Sequence, residues 1–296
     1  METEKKVKTL DMTQGGVVKA ILLFSIPLLI GNIFQQLYNT ADSVIAGNFI
    51  SKQALAAIGS SNSLINLLIG LFLGIATGAG VIIAQYYGAK DKEKMQWAVH
   101  TSIAFSLIGG VILTVAGVLL SPQILKWMGT PDEIMEQSVV YLRIFFCGSV
   151  FNLLYNMGAG ILRGVGDSKR PLYYLCITSV LNILLDLLFV IAFRMGVAGA
   201  ALATILSQAF SAVLVIATLM RDRDIYTLDL KKIRIDAKMM KRILNMGIPS
   251  GIQSAIISLS NVVVQANINS FGSDAVAGCS SYMKIDGFVV LPIMSF

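Results

Sequence analysis

The sequence predicts an all-α polytopic membrane protein: a complete six-helix N-terminal lobe and the first two helices of a second lobe, related to it by a parallel internal repeat. Three observations carry that expectation. First, 55% of the 296 residues are hydrophobic and 14% are charged, with a mean hydropathy of +0.74, whereas about a quarter of an ordinary soluble domain is charged. Second, the charges are bunched, because residues 20–41, 53–89, 95–125, 144–162, 195–220 and 243–273 contain no Asp, Glu, Lys or Arg. About 20 helical residues cross a hydrocarbon core of about 30 Å, so each run is long enough to span once. Third, the basic residues fall on alternate connections, which gives the chain an orientation.

Residues 1–17 form a polar arm, and the apolar run after it lacks a small-residue cleavage signal, so it reads as a cytoplasmic arm and not a removed leader. Spans are expected near 18–48, 54–85, 95–120, 134–162, 170–193, 196–219, 240–270 and from 276 onward. With the N-terminus cytoplasmic, inside segments hold 18 of the 23 basic residues, and outside segments hold only Lys52, Lys126 and Arg194. The positive-inside rule selects that orientation in a prokaryotic plasma (inner) membrane.

The longest polar stretch, RDRDIYTLDLKKIRIDAKMMKR at 221–242, follows the sixth span. The chain therefore divides into the arm 1–17, a six-helix lobe 18–220, a cytoplasmic linker 221–239 and the start of a second lobe, 240–296. Displacing the sequence by 222 residues places Ile26, Pro27, Ile30, Leu37, Asn39, Phe49 and Ser51 on Ile248, Pro249, Ile252, Leu259, Asn261, Phe271 and Ser273. A shared Pro, Asn and Ser in one register points to an internal repeat. Doubling it gives about 450 residues for the whole design, and FVVLPIMSF ends the sequence inside an apolar run, so the chain reads as truncated and unable to transport alone.

Carboxylates inside a span are costly against lipid and mark ion or proton paths. Asp286 follows Lys284, which reads as an ion pair or an interfacial position, whereas Asp42 and Asp186 have no basic residue within a turn. Counting inward from the outer ends at 1.5 Å per residue puts both roughly 10 Å deep, with Thr204 at about 12 Å. Asn182 and Tyr38 lie one turn deeper on the same faces. These five residues supply carboxylate, amide and hydroxyl oxygens that suit a hard cation such as Na⁺, and two close carboxylates equally make a shared proton site. Glycines at 70, 74 and 78 read as close helix packing. The cysteines at 147, 176 and 279 read as small buried hydrophobes, and with one histidine they build no His/Cys metal site.

The strings IPLLIGNIFQQLYNTADSVIAG, GAGVIIAQYYGAKD, ILRGVGDSKRP, NILLD and GVAGAALATILSQ together resemble the multidrug and toxic compound extrusion (MATE) transporters, and the resemblance covers essentially the whole chain. It implies twelve spans in two six-helix lobes that export drugs or metabolites in exchange for H⁺ or Na⁺. It also implies a cation site in the N-terminal lobe at Asp42, Tyr38, Asn182, Asp186 and Thr204, cavity residues at Tyr141 and Asn156, and a bending proline at Pro27. Depth counting places Asn156 nearer the cytoplasm than the others, and Pro27 equally fits a position close to a helix start. Asp42 falls on Val264 in the repeat, and residues 243–273 hold no carboxylate, so coupling would reside in the first lobe alone.

The sequence shows no P-loop, nucleophile triad, CxxC or dinucleotide fingerprint, so an enzyme is not expected. The expected function is secondary active multidrug efflux by cation antiport, with H⁺ or Na⁺ as coupling ion and no other cofactor. Expected partners are amphipathic cationic small molecules and the lipid bilayer. Nucleic acid is excluded, because the net charge of +6 is dispersed over loops. The alternatives are a flippase for lipid-linked oligosaccharides, which needs basic residues in the cavity where Arg143 alone is at hand, and a non-transporting fragment of an interrupted gene. Oligomeric state is not legible.

Overall fold

A computed structural model describes residues 17–127, 130–222 and 224–269, and all of their regular structure is helical. The polar arm, the eighth span, Asp286 and Cys279 lie outside the described residues. In chain order the helices are α1 (Val17–Phe49), α2 (Lys52–Gly88), α3 (Lys92–Trp127), α4 (Asp132–Cys147), α5 (Ser149–Gly164), α6 (Lys169–Asp186), α7 (Gly196–Arg221) and α8 (Ala237–Asn269). Short polar side chains start several of them. Ser51 Oγ accepts from Ala54 N at 3.0 Å, Asp91 from Lys94 N at 3.1 Å, Asp167 from Arg170 N at 3.1 Å and Asp236 from Met239 N at 2.7 Å.

Among the described residues five helices are long and apolar enough to cross a membrane, and α4 and α5 taken together are long and apolar enough for a sixth crossing. That fourth span is not straight: it bends by 51° at Gly148. A Cβ at Gly148 would lie 2.6 Å from Ile205 Cγ1, and the Thr114 hydroxyl donates to the Phe146 carbonyl beside the bend at 2.8 Å. Helix α8, 33 residues long, covers the stretch expected for the seventh span. Pro27 lies well inside α1, so its missing N–H removes the bond that Leu23 O would accept.

The apolar side chains segregate into two cores and an outer face. One core joins Ile83, Val99, Ile161, Val215, Leu219 and Ile243 at the end that carries the basic connections. The other joins Ala46, Ile58, Leu125, Tyr141, Phe146 and Ala201 at the opposite end. Outside them, Ile108, Val111, Ile112, Val115 and Leu119 form an exposed stripe along α3 at helical spacing, as a lipid-facing surface requires. The cysteines correct an expectation here, since Cys147 is exposed and Cys176 half-buried. In a bilayer an apolar segment turns one side to lipid, so apolarity does not imply burial within protein.

Helix α8 crosses α2 through the predicted glycines. A Cβ on Gly78 would lie 2.6 Å from Gly247 Cα, and one on Gly251 would lie 2.8 Å from Leu71 O, so the two backbones touch with no room for a methyl group. The segment between α7 and α8 is held down at the basic end. Tyr226 and Leu228 are buried, Gln96 Nε2 donates to Ile225 O at 2.7 Å and Thr227 O at 3.1 Å, and Arg170 pairs with Asp222. The single histidine, His100, is buried and bonds Gln96 O at 2.7 Å and the Asp229 backbone at 3.1 Å.

Candidate functional site

Between the two apolar cores lies a polar layer, and each helix shows why it forms there. Along α7, Val197 and Ala201 belong to one core, Val215 and Leu219 to the other, and Thr204, Ser207 and Ser211 lie between them. The fourth span repeats the pattern with Tyr141 to Phe146, then Asn152, Tyr155 and Asn156, then Met157 to Val165. On α6 the polar residues Thr178, Asn182 and Asp186 are four apart and share one face. Helix α1 contributes Gln35, Tyr38 and Asp42, three and four residues apart on one face. Together these faces enclose a cavity of about 110 Å³.

The carboxyl groups of Asp42 and Asp186 face each other at the outer edge of this cavity, one turn beyond the lining residues Tyr38 and Asn182. Tyr38 sits beside Thr204 and both aspartates, and the Tyr141 hydroxyl also looks onto the pair. Asp186 and Asn182 are each 1% exposed. The structure thus brings together all five residues expected at the cation site, and adds Tyr141 to them. Asn156 lines the same cavity farther in, where its amide donates to Asn152 O at 2.9 Å and Oδ1 at 3.0 Å, in keeping with its greater counted depth.

Among the described residues, few buried polar atoms lack hydrogen-bond partners, and more than half of those atoms belong to this site. They are Asp42 Oδ1, both carboxyl oxygens of Asp186, and the amide oxygen and nitrogen of Asn182. A buried oxygen without a partner costs about 1–3 kcal/mol, and more when charged. Three such carboxyl oxygens on two facing residues fit a proton or a hard cation, either of which supplies the missing positive partner. Thr204 spends its proton on Ala200 O at 3.0 Å, so its oxygen faces Tyr38 as an acceptor.

Two features here escaped sequence reasoning. The lining residues Gln35, Asn152, Tyr155, Thr178, Ser179, Ser207, Gln208 and Ser211 were discoverable as polar stripes at three- and four-residue spacing on apolar helices. Directly after Asp186 the chain runs as a π-helix through Leu187–Ala192, with Phe193 N bonding Leu188 O at 2.9 Å, and LLFVIA carries no signal for that. Such single-turn π segments collect at functional sites.

The MatE family model matches residues 27–188. The probable multidrug resistance protein YoeA of Bacillus subtilis is 32% identical over 305 residues, an alignment that takes in 100% of this chain and 65% of the relative. A solved transporter of the MOP superfamily from Pyrococcus furiosus, described as having a binding pocket of reverse polarity, superposes with a TM-score of 0.90 at 31% identity, over 99% of this chain and 65% of that one. The outward-facing conformation of a MATE-family multidrug resistance transporter gives the same TM-score of 0.90 at 31% identity, again over 99% and 65%. The chain spans about 65% of the length of the relatives it matches.

Proposed function

The chain belongs to the MatE family, and from that premise we propose that it supplies the cation-coupling lobe of a secondary multidrug exporter. The exporter expels amphipathic cationic compounds from a prokaryotic cell in exchange for H⁺ or Na⁺. The observation that carries this reading is the pair Asp42 and Asp186, opposed across α1 and α6 with oxygens that have no hydrogen-bond partner. The basic end is read as cytoplasmic by the positive-inside rule, which puts the pair toward the outer surface, where an inward cation gradient delivers its ion.

The mechanism follows from electrostatics. Two carboxylates in a poorly hydrated place repel when both are ionised, and a proton or Na⁺ between them removes the repulsion and satisfies the bare oxygens. The cation-loaded pair draws α1 toward α6 and α7. Pro27, which has no bond to Leu23 O, lets the inner part of α1 bend as the outer part moves. A drug that prefers the cation-free arrangement is linked reciprocally to the ion, since each lowers the affinity for the other by the same factor. The cavity wall of hydroxyls, amides and tyrosine rings beside a carboxylate pair suits a cationic amphiphile.

A flippase for pyrophosphate-linked sugars needs basic residues in the cavity. Among the described residues no Lys or Arg lines it, and Arg143 is exposed on the outside of the bundle with its Nε on Val118 O at 3.2 Å. The test is efflux of a lipophilic fluorescent cation from cells that express the complete exporter of which this chain supplies one lobe, driven by an imposed H⁺ or Na⁺ gradient. Asp42→Asn and Asp186→Asn are each expected to abolish gradient-driven efflux at unchanged membrane expression, and the double variant is expected to do no worse. Intact coupled efflux in both single variants refutes the proposal.

A further inference from the structure

We propose that the groove between the first turns of α3 and the 231–234 segment binds the phosphate headgroup of an anionic lipid in the leaflet at the basic end. The inference rests on the membrane reading of α3 and is independent of Asp42 and Asp186, so loss of lipid binding and loss of coupling are separately observable.

The groove has a volume of about 410 Å³ and is bordered by Trp97, Lys231, Lys232 and Arg234. Among the described residues neither Lys231 nor Arg234 has a carboxylate partner, and Lys232 makes only an exposed pair with Asp229 at 3.4 Å. The Arg234 guanidinium carbon stands 3.9 Å over the Trp97 ring. Stacking of this kind fixes the guanidinium plane and leaves its N–H edge free to grip a phosphate.

Depth favours a lipid as the source of that phosphate. Trp97 is in the second turn of α3, a helix long and apolar enough to cross a membrane, so its ring sits where hydrocarbon meets water, the level tryptophan prefers. The cations are also preorganised. Gln96 and His100 anchor the Ile225–Asp229 backbone just before them, Asp229 Oδ1 accepts from Lys231 N at 3.0 Å, and Thr101 Oγ1 accepts from Asp236 N at 3.1 Å just after them. Residues 229–242 carry six basic side chains against two acidic ones. Such clusters beside a membrane span attract anionic lipid, and holding them rigid lowers the entropy cost of binding.

The experiment uses Trp127→Phe, which leaves Trp97 as the single tryptophan of the 296-residue chain. Reconstituted into phosphatidylcholine nanodiscs, the protein is titrated with brominated phosphatidylglycerol or brominated phosphatidylcholine, and quenching of Trp97 is read. Brominated phosphatidylglycerol is expected to quench at several-fold lower mole fraction. That preference should fall about fivefold for each cation removed, as Lys231→Gln, Lys232→Gln and Arg234→Gln are introduced singly and then together as a triple variant. Lys238→Gln, outside the groove, should leave it unchanged, and the single variant Lys231→Gln keeps the test alive if the triple variant misfolds. Equal quenching by the two lipids overturns the site. Displacement of the brominated lipid by an equal concentration of soluble glycerol phosphate overturns the lipid assignment, because the groove would then read a free phosphate.

Discussion

Gly247→Leu is expected to open the crossing of α2 and α8 without unfolding the lobe. A Cβ on Gly247 would lie 2.5 Å from Ile75 Cα, 3.1 Å from Gly74 O and 3.2 Å from Ile75 O. All three neighbours are backbone atoms, and ordinary contact with a Cβ begins near 3.4 Å, so the helices must separate by about 1 Å even for alanine, and by more for leucine. Overpacking of this kind costs about 1–3 kcal/mol. Charged to one crossing, that shifts its closed–open equilibrium by roughly 5- to 150-fold toward open. The crossing lies toward the basic end, where Ile75 and Ile243 belong to the core on that side. Spin labels on the exposed residues Gln85 and Lys241, in a background lacking Cys147, Cys176 and Cys279, measure the separation by pulsed electron resonance. The longer-distance population should grow in Gly247→Ala and dominate in Gly247→Leu. In Gly59→Ala it should match the parent, because nothing lies within 4 Å of that added methyl group. Unchanged distances in Gly247→Leu, with helicity intact, would refute the claim that glycine backbones form this contact.

Two further outcomes are expected. His100→Leu removes the bond between the ring and the Asp229 backbone and leaves the Asp229 N–H without that acceptor, at a cost of about 1–3 kcal/mol, so hydrogen exchange over residues 224–236 should quicken while exchange in α5 and α7 stays as before; unaltered exchange over 224–236 would mean that His100 does not hold the segment. Single cysteines at Lys90, Gly166 and Lys231 should resist an impermeant thiol reagent applied to intact cells, while cysteines at Ser51 and Thr130 react, and the reverse pattern would invert the proposed orientation.

What the sequence made legible was whatever the bilayer makes expensive. The expected spans marked the membrane helices to within seven residues, because a charge against lipid costs too much to be scattered at random. Asp42 and Asp186 stood out for the same reason, and a rise of 1.5 Å per residue was enough to match their depths and that of Thr204. Tertiary geometry was less accessible. Gly148 sits in an apolar run like many other glycines, and only the bulk of Ile205 against it explains a close approach at the bend. Gly74 and Gly78 announced tight packing without naming Gly247 and Gly251 as partners. Tyr141 falls on the pair because the bent fourth span brings α4 over it, a consequence of three-dimensional path that residue counting along one helix does not contain. The polar segment after α7 read as a connection between lobes, yet Tyr226 and Leu228, two apolar residues among its charges, are what bury it against the bundle.

The central claim, that Asp42 and Asp186 are one cation site, is tested most directly by infrared difference spectroscopy of the carboxyl band, titrated from acid to alkaline conditions with and without Na⁺. Interacting carboxyls lose their protons in steps that belong to the pair. The account predicts that Asp42→Asn shifts the titration of Asp186, that Asp186→Asn shifts that of Asp42, and that the two difference spectra do not add up to the parent spectrum. Two bands that titrate independently, each deleted by its own variant while the other stays unmoved, would contradict it.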